Sequence, residues 1–306
     1  MTRLRLRRSM LYVPGNMPSM LQNIPLFQCD AIIIDLEDGV SYAEKDAARI
    51  LVARYLASYR DRRQEILVRI NPLDTKWGRD DLGAVLPVDP DGIRLPMAET
   101  PEAIRELDRL LTQYEEASGL ENGRFRILPS IETVKGVLNA HAIANASKRL
   151  IGLAFGAEDF TASMGIQRTN SGEELSHART QVAWAAKAAG LQAIDTIFAD
   201  VGDMDSLRRE TELVKKLGFT GKCMVNPRQI DVIHEVFSPK QEEIDYALQV
   251  VDAIKQARLL GTGVISLRGR MIDAPVVKRA VNVLRTAYVQ GLVADDINED
   301  VIYGQE

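Results

Sequence analysis

The stretch Ala31-Ile32-Ile33-Ile34-Asp35-Leu36 is an almost unbroken apolar run that ends in the acidic pair Glu37-Asp38. A short run rich in β-branched residues is typical of a strand buried on both faces, as in a parallel sheet. Seven further runs of this kind recur along the chain. They are Met10–Pro14, Ile66–Ile70, Gly92–Pro96, Phe125–Ile131, Leu150–Phe155, Ala193–Ala199 and Lys222–Val225. The sequence therefore predicts eight buried strands.

Longer patterns with helical spacing lie between these runs. The clearest begins at Thr100, a good N-cap residue, with Pro101 at the first helical position. The predicted helices are Ala43–Tyr59, Thr100–Ser118, Val134–Ala146, Gly172–Ala189, Asp205–Leu217 and Arg228–Phe237. Eight strands that alternate with helices predict an α/β fold of the (β/α)8 TIM barrel type. A doubly wound open sheet is the alternative, but neither G-x-G-x-x-G nor G-x-x-x-x-G-K-[ST] occurs in the chain.

The length of the chain predicts more than a barrel. A (β/α)8 barrel takes roughly 250 residues, and this chain has 306. We expect the catalytic barrel over residues 8–237 and a mostly helical C-terminal extension over residues 238–292. Within the extension, the pattern predicts helices at Pro239–Leu260 and Ala274–Gly291 and an extended piece at Gly263–Leu267. The acidic tail over residues 293–306 is expected to be loose.

Composition excludes several classes of function. The net charge of −5 argues against a general nucleic-acid binder, which needs a basic face. No apolar run approaches the ~18 residues that a membrane span needs. The two cysteines, Cys29 and Cys223, are far apart, which favours a reducing compartment over a disulfide framework. The basic N-terminus resembles a transit peptide, but a strand begins at Met10. We therefore expect a cytoplasmic protein that binds neither nucleic acid nor membrane.

Candidate site residues follow the strands, because a TIM barrel places its chemistry at the C-terminal ends of its strands. These ends are rich in carboxylates and poor in histidine, which favours a hard cation such as Mg²⁺, with Mn²⁺ as the alternative. Glu132 and Asp159 follow neighbouring strands and are the predicted metal ligands. Arg69 ends the third strand and presents a fork suited to a carboxylate or an enolate. In the competing interpretation Asp159 only caps a helix and Arg69 only pairs with Glu37 or Glu99.

Several motifs together resemble one family. They are Arg8-Ser9-Met10-Leu11-Tyr12-Val13-Pro14-Gly15-Asn16, Asp35-Leu36-Glu37-Asp38-Gly39-Val40, Val68-Arg69-Ile70-Asn71, Ile131-Glu132-Thr133, Gly156-Ala157-Glu158-Asp159, Asp195-Thr196, Gly221-Lys222, Asn226-Pro227-Arg228-Gln229-Ile230 and Gly269-Arg270-Met271-Ile272-Asp273-Ala274-Pro275. In this order they resemble the HpcH/HpaI-type aldolases and citrate lyases, and within them the beta-subunit branch of the citrate lyases. The resemblance extends from about residue 8 to residue 292.

The resemblance implies a Mg²⁺-dependent carbon–carbon lyase, of the citryl-CoA lyase type. Such an enzyme cleaves a citryl thioester, carried on an acyl carrier protein or on CoA, to oxaloacetate and an acetyl thioester. Its implied partners are the acyl carrier and transferase subunits of a citrate lyase.

The resemblance also implies residue roles. Glu132 and Asp159 match the metal ligands, and Arg69 and Glu132 match substrate contacts. Glu37 and Asp38 match catalytic groups that hold metal-bound water. The backbone amides of Ala157 and Glu158 match a binding site for a substrate carboxylate. Asp273 matches an acid/base that relatives lend to a neighbouring subunit, which implies a homo-oligomer, a trimer or a multiple of one. Met97 departs from the pattern, because many relatives have lysine there.

Two alternatives remain at this point. One keeps the enzyme and changes its substrate to a malyl-, citramalyl- or other 3-hydroxyacyl-CoA thioester. The other is a non-catalytic scaffold subunit that uses the barrel and the extension to bind partners.

Overall fold

The structure is a computed structural model that describes residues 5–59, 62–169, 171–259, 266–267 and 269–297. Part of the predicted extended piece, residues 263–265, and most of the predicted loose tail, residues 298–306, lie outside the described residues. The chain divides into two compact units, residues 7–235 and residues 1–6 with 236–306. Among the described residues, no helix has both the length and the hydropathy to cross a membrane.

The first unit contains a closed barrel of eight parallel strands, as predicted. Neighbours in sequence pair with each other, and the first strand pairs with the eighth to close the ring. The strands are β1 (Ser9–Pro14), β2 (Ala31–Asp35), β3 (Glu65–Arg69), β4 (Gly92–Leu95), β5 (Arg126–Ile131), β6 (Gly152–Phe155), β7 (Gln192–Asp195) and β8 (Gly221–Met224).

Helices connect the strands and cover the barrel. They are α1 (Pro18–Leu21), α2 (Lys45–Ser58), α3 (Gly78–Val85), α4 (Pro101–Ala117), α5 (Val134–Leu138), α6 (Ala140–Ala144), α7 (Ala157–Met164), α8 (Ser176–Ala188), α9 (Met204–Leu217) and α10 (Ile230–Phe237). Thr100 caps α4 as predicted, since its hydroxyl accepts the Ala103 N–H. Helix α3 has no counterpart among the predicted helices.

The predicted single helix over residues 134–146 is wrong, because the chain forms two short helices there. Asn139 separates α5 from α6 with φ −95° and ψ 2°. Its side-chain amide donates to the Glu99 carbonyl at 2.8 Å, which holds the break in place. The predicted start of the next helix at Gly172 is also early. A short 3₁₀ turn, Glu173–Leu175, precedes α8, and Gly172 has a φ of +65°.

The barrel interior has an apolar layer below a polar one. The apolar cluster comprises Met10, Ala31, Ile33, Leu67, Leu128, Ala154, Ile194 and Cys223. Alternate residues of a strand share a face, so each inward residue is followed two positions later by another. These later residues are Tyr12, Asp35, Arg69 and Ser130. The strand period thus places a polar layer at the C-terminal mouth of the barrel.

The second unit has its own hydrophobic core. It contains α11 (Gln241–Leu259), the paired two-residue strands β9 (Ser266–Leu267) and β10 (Arg270–Met271), and α12 (Ala274–Val289). The two helices pack through a buried cluster that includes Ile254, Val277 and Leu284. Asp273 caps α12, because its carboxylate accepts the Val276 N–H at 3.0 Å.

Candidate active site

A cavity of about 320 Å³ opens among the C-terminal ends of the barrel strands. Its wall is formed by Tyr12, Pro14, Asp35, Asp38, Gly39, Arg69, Arg94, Glu132, Phe155, Gly156, Ala157, Glu158, Asp159, Thr196, Ile197, Cys223 and Val225. Six predicted site residues therefore share one cavity, namely Asp38, Arg69, Glu132, Ala157, Glu158 and Asp159. Of the other two, Glu37 contacts Arg69 and Asp273 belongs to the second unit.

Glu132 follows β5 and is 4% exposed. One carboxylate oxygen accepts the backbone N–H of Met97, a residue with a φ of +50°. The other oxygen faces Gly156, where a Cβ would come within 2.6 Å of it. Burial is the main cause of a raised pKa for Glu132, and the nearby Asp159 adds to it. Glu132 is thus a fixed, buried carboxylate whose negative charge lacks full compensation.

Asp159 lies in the first turn of α7 and is partly buried. Burial raises the pKa of its carboxyl group, and the negative charge of Asp38 raises it further. A nearby negative charge disfavours the ionised form of both Glu132 and Asp159, so these two carboxylates are suited to share a cation. Both line the same cavity, so the donor set fits a divalent ion.

The donor set fits magnesium better than zinc. Within the part of the chain that the structure describes, no group of three or more His, Cys, Asp or Glu side chains is placed to hold a metal ion. Mg²⁺ needs no such group, because it commonly takes one or two protein carboxylates and completes its shell with water and substrate oxygens. Glu132 and Asp159 are oxygen donors of that kind.

Three carboxylates surround the guanidinium group of Arg69. Its Nε and Nη2 each lie 2.7 Å from an oxygen of Asp35, and its Nη1 lies 2.7 Å from Glu37 and 3.5 Å from Asp38. The predicted pairing with Glu37 is therefore present, whereas Glu99 instead contacts Thr133 and Lys135. Sequence reasoning missed Asp35 as a partner. An acidic residue at the end of an apolar strand was the available signal, and the structure shows its register with Arg69.

Glu37 is a further carboxyl group with a raised pKa. Burial raises its pKa to about 8, against the opposing charge of Arg69, and Asp38 and Glu132 add to the rise. A carboxyl group with a pKa near neutrality can both give and accept a proton under physiological conditions.

At the start of α7, one of the two backbone amides predicted to bind a substrate carboxylate is engaged within the protein. The Ala157 N–H already donates to the Thr196 hydroxyl at 3.0 Å, so this amide is engaged within the protein. Glu158 is exposed and forms an ion pair with Arg168 at 2.6 Å.

Two further cavity residues, Tyr12 and Arg94, were not singled out from the sequence. The Arg94 guanidinium lies 5.2 Å from the centre of the Tyr12 ring, and that of Arg69 lies 4.9 Å from it. A charged residue inside the apolar strand β4 was the signal for Arg94. That signal indicates a site residue only if the side chain points into the barrel. The apolar pattern of β4 alone does not give this direction.

Comparison with known proteins places this geometry in a family. The HpcH/HpaI aldolase/citrate lyase profile matches residues 8–227. The chain belongs to the HpcH/HpaI aldolase/citrate lyase family. It is 44% identical over 294 residues to the citrate lyase subunit beta of Leuconostoc mesenteroides, covering 96% of this chain and 97% of that protein. As a member of this family it is a carbon–carbon lyase, which sets aside the scaffold alternative.

Other members differ in what they bind. The chain is 35% identical to the mitochondrial citramalyl-CoA lyase of Mus musculus, covering 92% of this chain and 86% of that one. It also resembles CitE from Mycobacterium tuberculosis, solved in complex with magnesium, acetoacetate and coenzyme A. That likeness has a TM-score of 0.76 and 28% identity, and covers 93% of this chain and 100% of that one. Magnesium thus occurs in a solved structure that this chain resembles.

Proposed function

We propose that this family member cleaves a citryl thioester to oxaloacetate and an acetyl thioester with Mg²⁺, as the beta subunit of a citrate lyase. The observation that carries the proposal is the pair of buried or partly buried carboxylates, Glu132 and Asp159, that share one cavity and both have raised pKa values. The 44% identity to a citrate lyase subunit beta supports this choice of substrate.

In the proposed reaction, the bond breaks between the hydroxyl-bearing carbon and the methylene carbon beside the thioester. The hydroxyl group loses its proton and becomes the ketone of oxaloacetate. The electron pair of the broken bond passes to the thioester as an enolate, which then takes a proton on carbon. The lyase must therefore accept the proton from the hydroxyl group and supply a proton to the enolate carbon.

The protein's own groups suit these steps. Glu132 and Asp159 would hold the metal. Bound there, Mg²⁺ would act as a Lewis acid toward the oxygen that becomes the carbonyl. Glu37, with a pKa of about 8, is our candidate for one proton transfer. Arg69 keeps Glu37 and Asp35 in place at 2.7 Å. Asp273 of a neighbouring copy is the candidate for the second transfer.

The same proposal names partners and location. The thioester would be carried by an acyl carrier protein, with CoA esters as close analogues, and the acyl carrier and transferase subunits would complete the complex. We propose a homotrimer or a multiple of it. We retain the cytoplasm as the proposed location, because Cys29 and Cys223 are buried free thiols.

The test is cleavage of citryl-CoA with Mg²⁺, followed as oxaloacetate release, by the native protein and by Glu132→Gln. We expect the variant to lose about 10²-fold or more in kcat, the usual order for removing a main electrostatic group. Calorimetry should show that the variant also binds Mg²⁺ more weakly. Glu235→Gln, which changes an exposed carboxylate paired with Arg208, is the control. Unchanged turnover in Glu132→Gln would refute the proposed site.

A second candidate substrate is citramalyl-CoA, which the 35% identity to a citramalyl-CoA lyase favours. A panel of citryl, citramalyl and malyl thioesters ranked by kcat/KM separates the candidates. The citryl proposal requires citryl-CoA to rank first.

A further inference from the structure

Arg94 is a buried cation that lines the candidate active site. It lies in β4 and is 2% exposed. Its Nε donates to the Ser130 hydroxyl at 3.0 Å, and its Nη1 lies 3.3 Å from the Cys223 sulfur. Its third contact is the ring of Tyr12, whose pKa burial raises, so that the phenol stays neutral. None of these close contacts is with a carboxylate.

Other buried arginines in the described chain each pair with a carboxylate. Arg7 pairs with Glu65, Arg149 with Glu115 and Arg179 with Asp195, and in each pair both side chains are buried. Arg69 has its Asp35 partner in the same cavity. Arg94 forms no such pair with any residue that the structure describes, and Glu132 acts on it only through a longer-range charge interaction.

Burial of a charge without a partner is costly unless something else supplies the opposite charge. Because Arg94 lines a cavity, that opposite charge can come from a bound anion. The Asp35 carboxylate already occupies the fork of Arg69. Of the two guanidinium groups in the cavity wall, that of Arg94 is therefore the one open to a carboxylate of the substrate.

Depth in the barrel indicates which carboxylate this is. Ser130, the partner of Arg94, precedes Glu132 by two residues on the inward face, and Cys223 belongs to the apolar layer. Arg94 therefore lies deeper than the proposed metal ligands. A substrate whose hydroxyl group and central carboxylate face Glu132 and Asp159 would extend its remaining arm toward this depth.

We propose that Arg94 binds the carboxylate of the carboxymethyl arm of the citryl group and thereby sets the substrate specificity of the lyase. This arm becomes the distal carboxylate of oxaloacetate, and a citramalyl group carries a methyl group in its place. The inference rests on the proposed function, because it assumes a citryl thioester in this cavity. It assigns to Arg94 the discrimination between the two candidate substrates.

The experiment compares the native protein with Arg94→Gln on citryl-CoA and on citramalyl-CoA. Loss of one member of a buried charge pair predicts a fall of about 30-fold or more in kcat/KM for citryl-CoA. For citramalyl-CoA the change should stay within about threefold, since no charge pair is lost. Arg94→Lys keeps the charge without the fork and should recover part of the citryl activity. Arg208→Gln, on an exposed pair, is the control.

An equal fall on both thioesters would overturn the inference, because it would assign Arg94 to the shared part of the reaction. Unchanged citryl activity would overturn it as well. Circular dichroism melts confirm that each variant is folded.

Product binding separates this inference from the proposed function. In the presence of Mg²⁺, calorimetry compares oxaloacetate with pyruvate, which lacks the distal carboxylate. Arg94→Gln should weaken oxaloacetate binding and leave pyruvate binding unchanged. If the native protein cleaves neither thioester while this pattern holds, the proposed function fails and the role of Arg94 stands. If citryl-CoA is cleaved but Arg94→Gln binds oxaloacetate as tightly as the native protein does, the proposed role of Arg94 is refuted and the proposed function is retained.

Discussion

Gly156 forms part of the wall against which Glu132 lies. A Cβ at this position would stand 2.6 Å from Oε2 and 2.7 Å from Cβ of Glu132. The φ of −114° suits any residue, so only the lack of space excludes a side chain. We expect Gly156→Ala to displace the Glu132 carboxylate and to lower kcat at least about tenfold, because small misplacements of reacting groups are costly. Steady-state kinetics and Mg²⁺ titration measure both effects.

Gly83→Ala is the matched control. Gly83 lies in α3, and a Cβ there would meet nothing within 4 Å. Replacing a helical glycine by alanine should stabilise the lyase by about 0.5–1 kcal/mol and leave turnover unchanged. Native-like kinetics in Gly156→Ala would show that Glu132 does not need its observed position.

Glu37 predicts an unusual pH dependence of stability. Burial raises its pKa from 4.5 to about 8, so the folded state holds a proton that the unfolded state releases. This contribution is complete below the unfolded pKa and is lost as the pH rises toward the folded one. The free energy of unfolding of the metal-free protein should therefore fall between about pH 5 and 8, by up to about 1.4 kcal/mol per pH unit from this group. Urea titrations in EDTA measure it.

Glu37→Gln removes the titrating group and should flatten the dependence over the same pH range. The control is Glu235→Gln, whose slope should match that of the native protein because Glu235 is exposed. Parallel pH profiles for all three proteins would mean that Glu37 ionises normally in the folded state.

Among the elements, Arg149 connects the start of β6 to α4. Its Nη1 and Nη2 lie 2.7 and 2.6 Å from the two oxygens of Glu115, and its Nε lies 2.6 Å from Asp108. The Glu115 side chain is 0% exposed, so Arg149→Met leaves a buried carboxylate without its cation. We expect a loss of about 3 kcal/mol in the free energy of unfolding, measured by urea denaturation.

Arg208→Met offers the contrasting case in α9, because its pair with Glu235 is exposed. That change should cost no more than about 1 kcal/mol. The double variant Arg149→Met with Glu115→Gln should recover part of the lost stability, since the uncompensated charge is gone. Equal losses in the single and double variants would contradict this account.

For single strands and helices, sequence patterns were sufficient in some cases and not in others. The barrel strands were predictable because a strand buried on both faces needs a local apolar run, as in Ala31–Asp35. Helix α3 was not predictable in the same way. It carries Asp80 and Asp81 in its first turn, and the buried Asp81 is held by Arg49 at 2.8 Å and by the backbone N–H of Asn71. Arg49 belongs to α2 and is 32 residues away from Asp81, so a short window of sequence does not contain that contact.

For the whole molecule, the sequence predicted the order of strands and the collection of carboxylates at one mouth. It did not predict the full set of carboxylates around Arg69, or that the Arg94 side chain lines the cavity. Both depend on register across the barrel, where Asp35 pairs with Arg69 and Arg69 with Arg94 on neighbouring strands. A strand's own sequence gives its alternation but not which neighbour stands opposite each residue, so such contacts become visible only in the folded barrel.

The assembly of the lyase can be tested through Asp273. If this residue acts in the site of a neighbouring copy, one protomer can supply Glu132 and another Asp273. We expect Glu132→Gln and Asp273→Asn to be nearly inactive alone, whereas unfolding and refolding them together should restore citryl-CoA cleavage. Random assembly of equal amounts gives roughly a quarter of sites with both native residues. Light scattering on the same samples measures the oligomeric state.

Asparagine is the appropriate replacement at position 273 because the native carboxylate also caps α12 by accepting the Val276 N–H. Asparagine caps a helix about as well as aspartate but cannot take up or release a proton. Asp273→Asn should therefore melt with the native protein, which separates a catalytic loss from a structural one. A refolded mixture that stays as inactive as its two parents, or a monomer with full activity, would contradict the shared site. If turnover is restored in the refolded mixture and neither variant is active by itself, the catalytic unit of this lyase is the assembly and not the single chain.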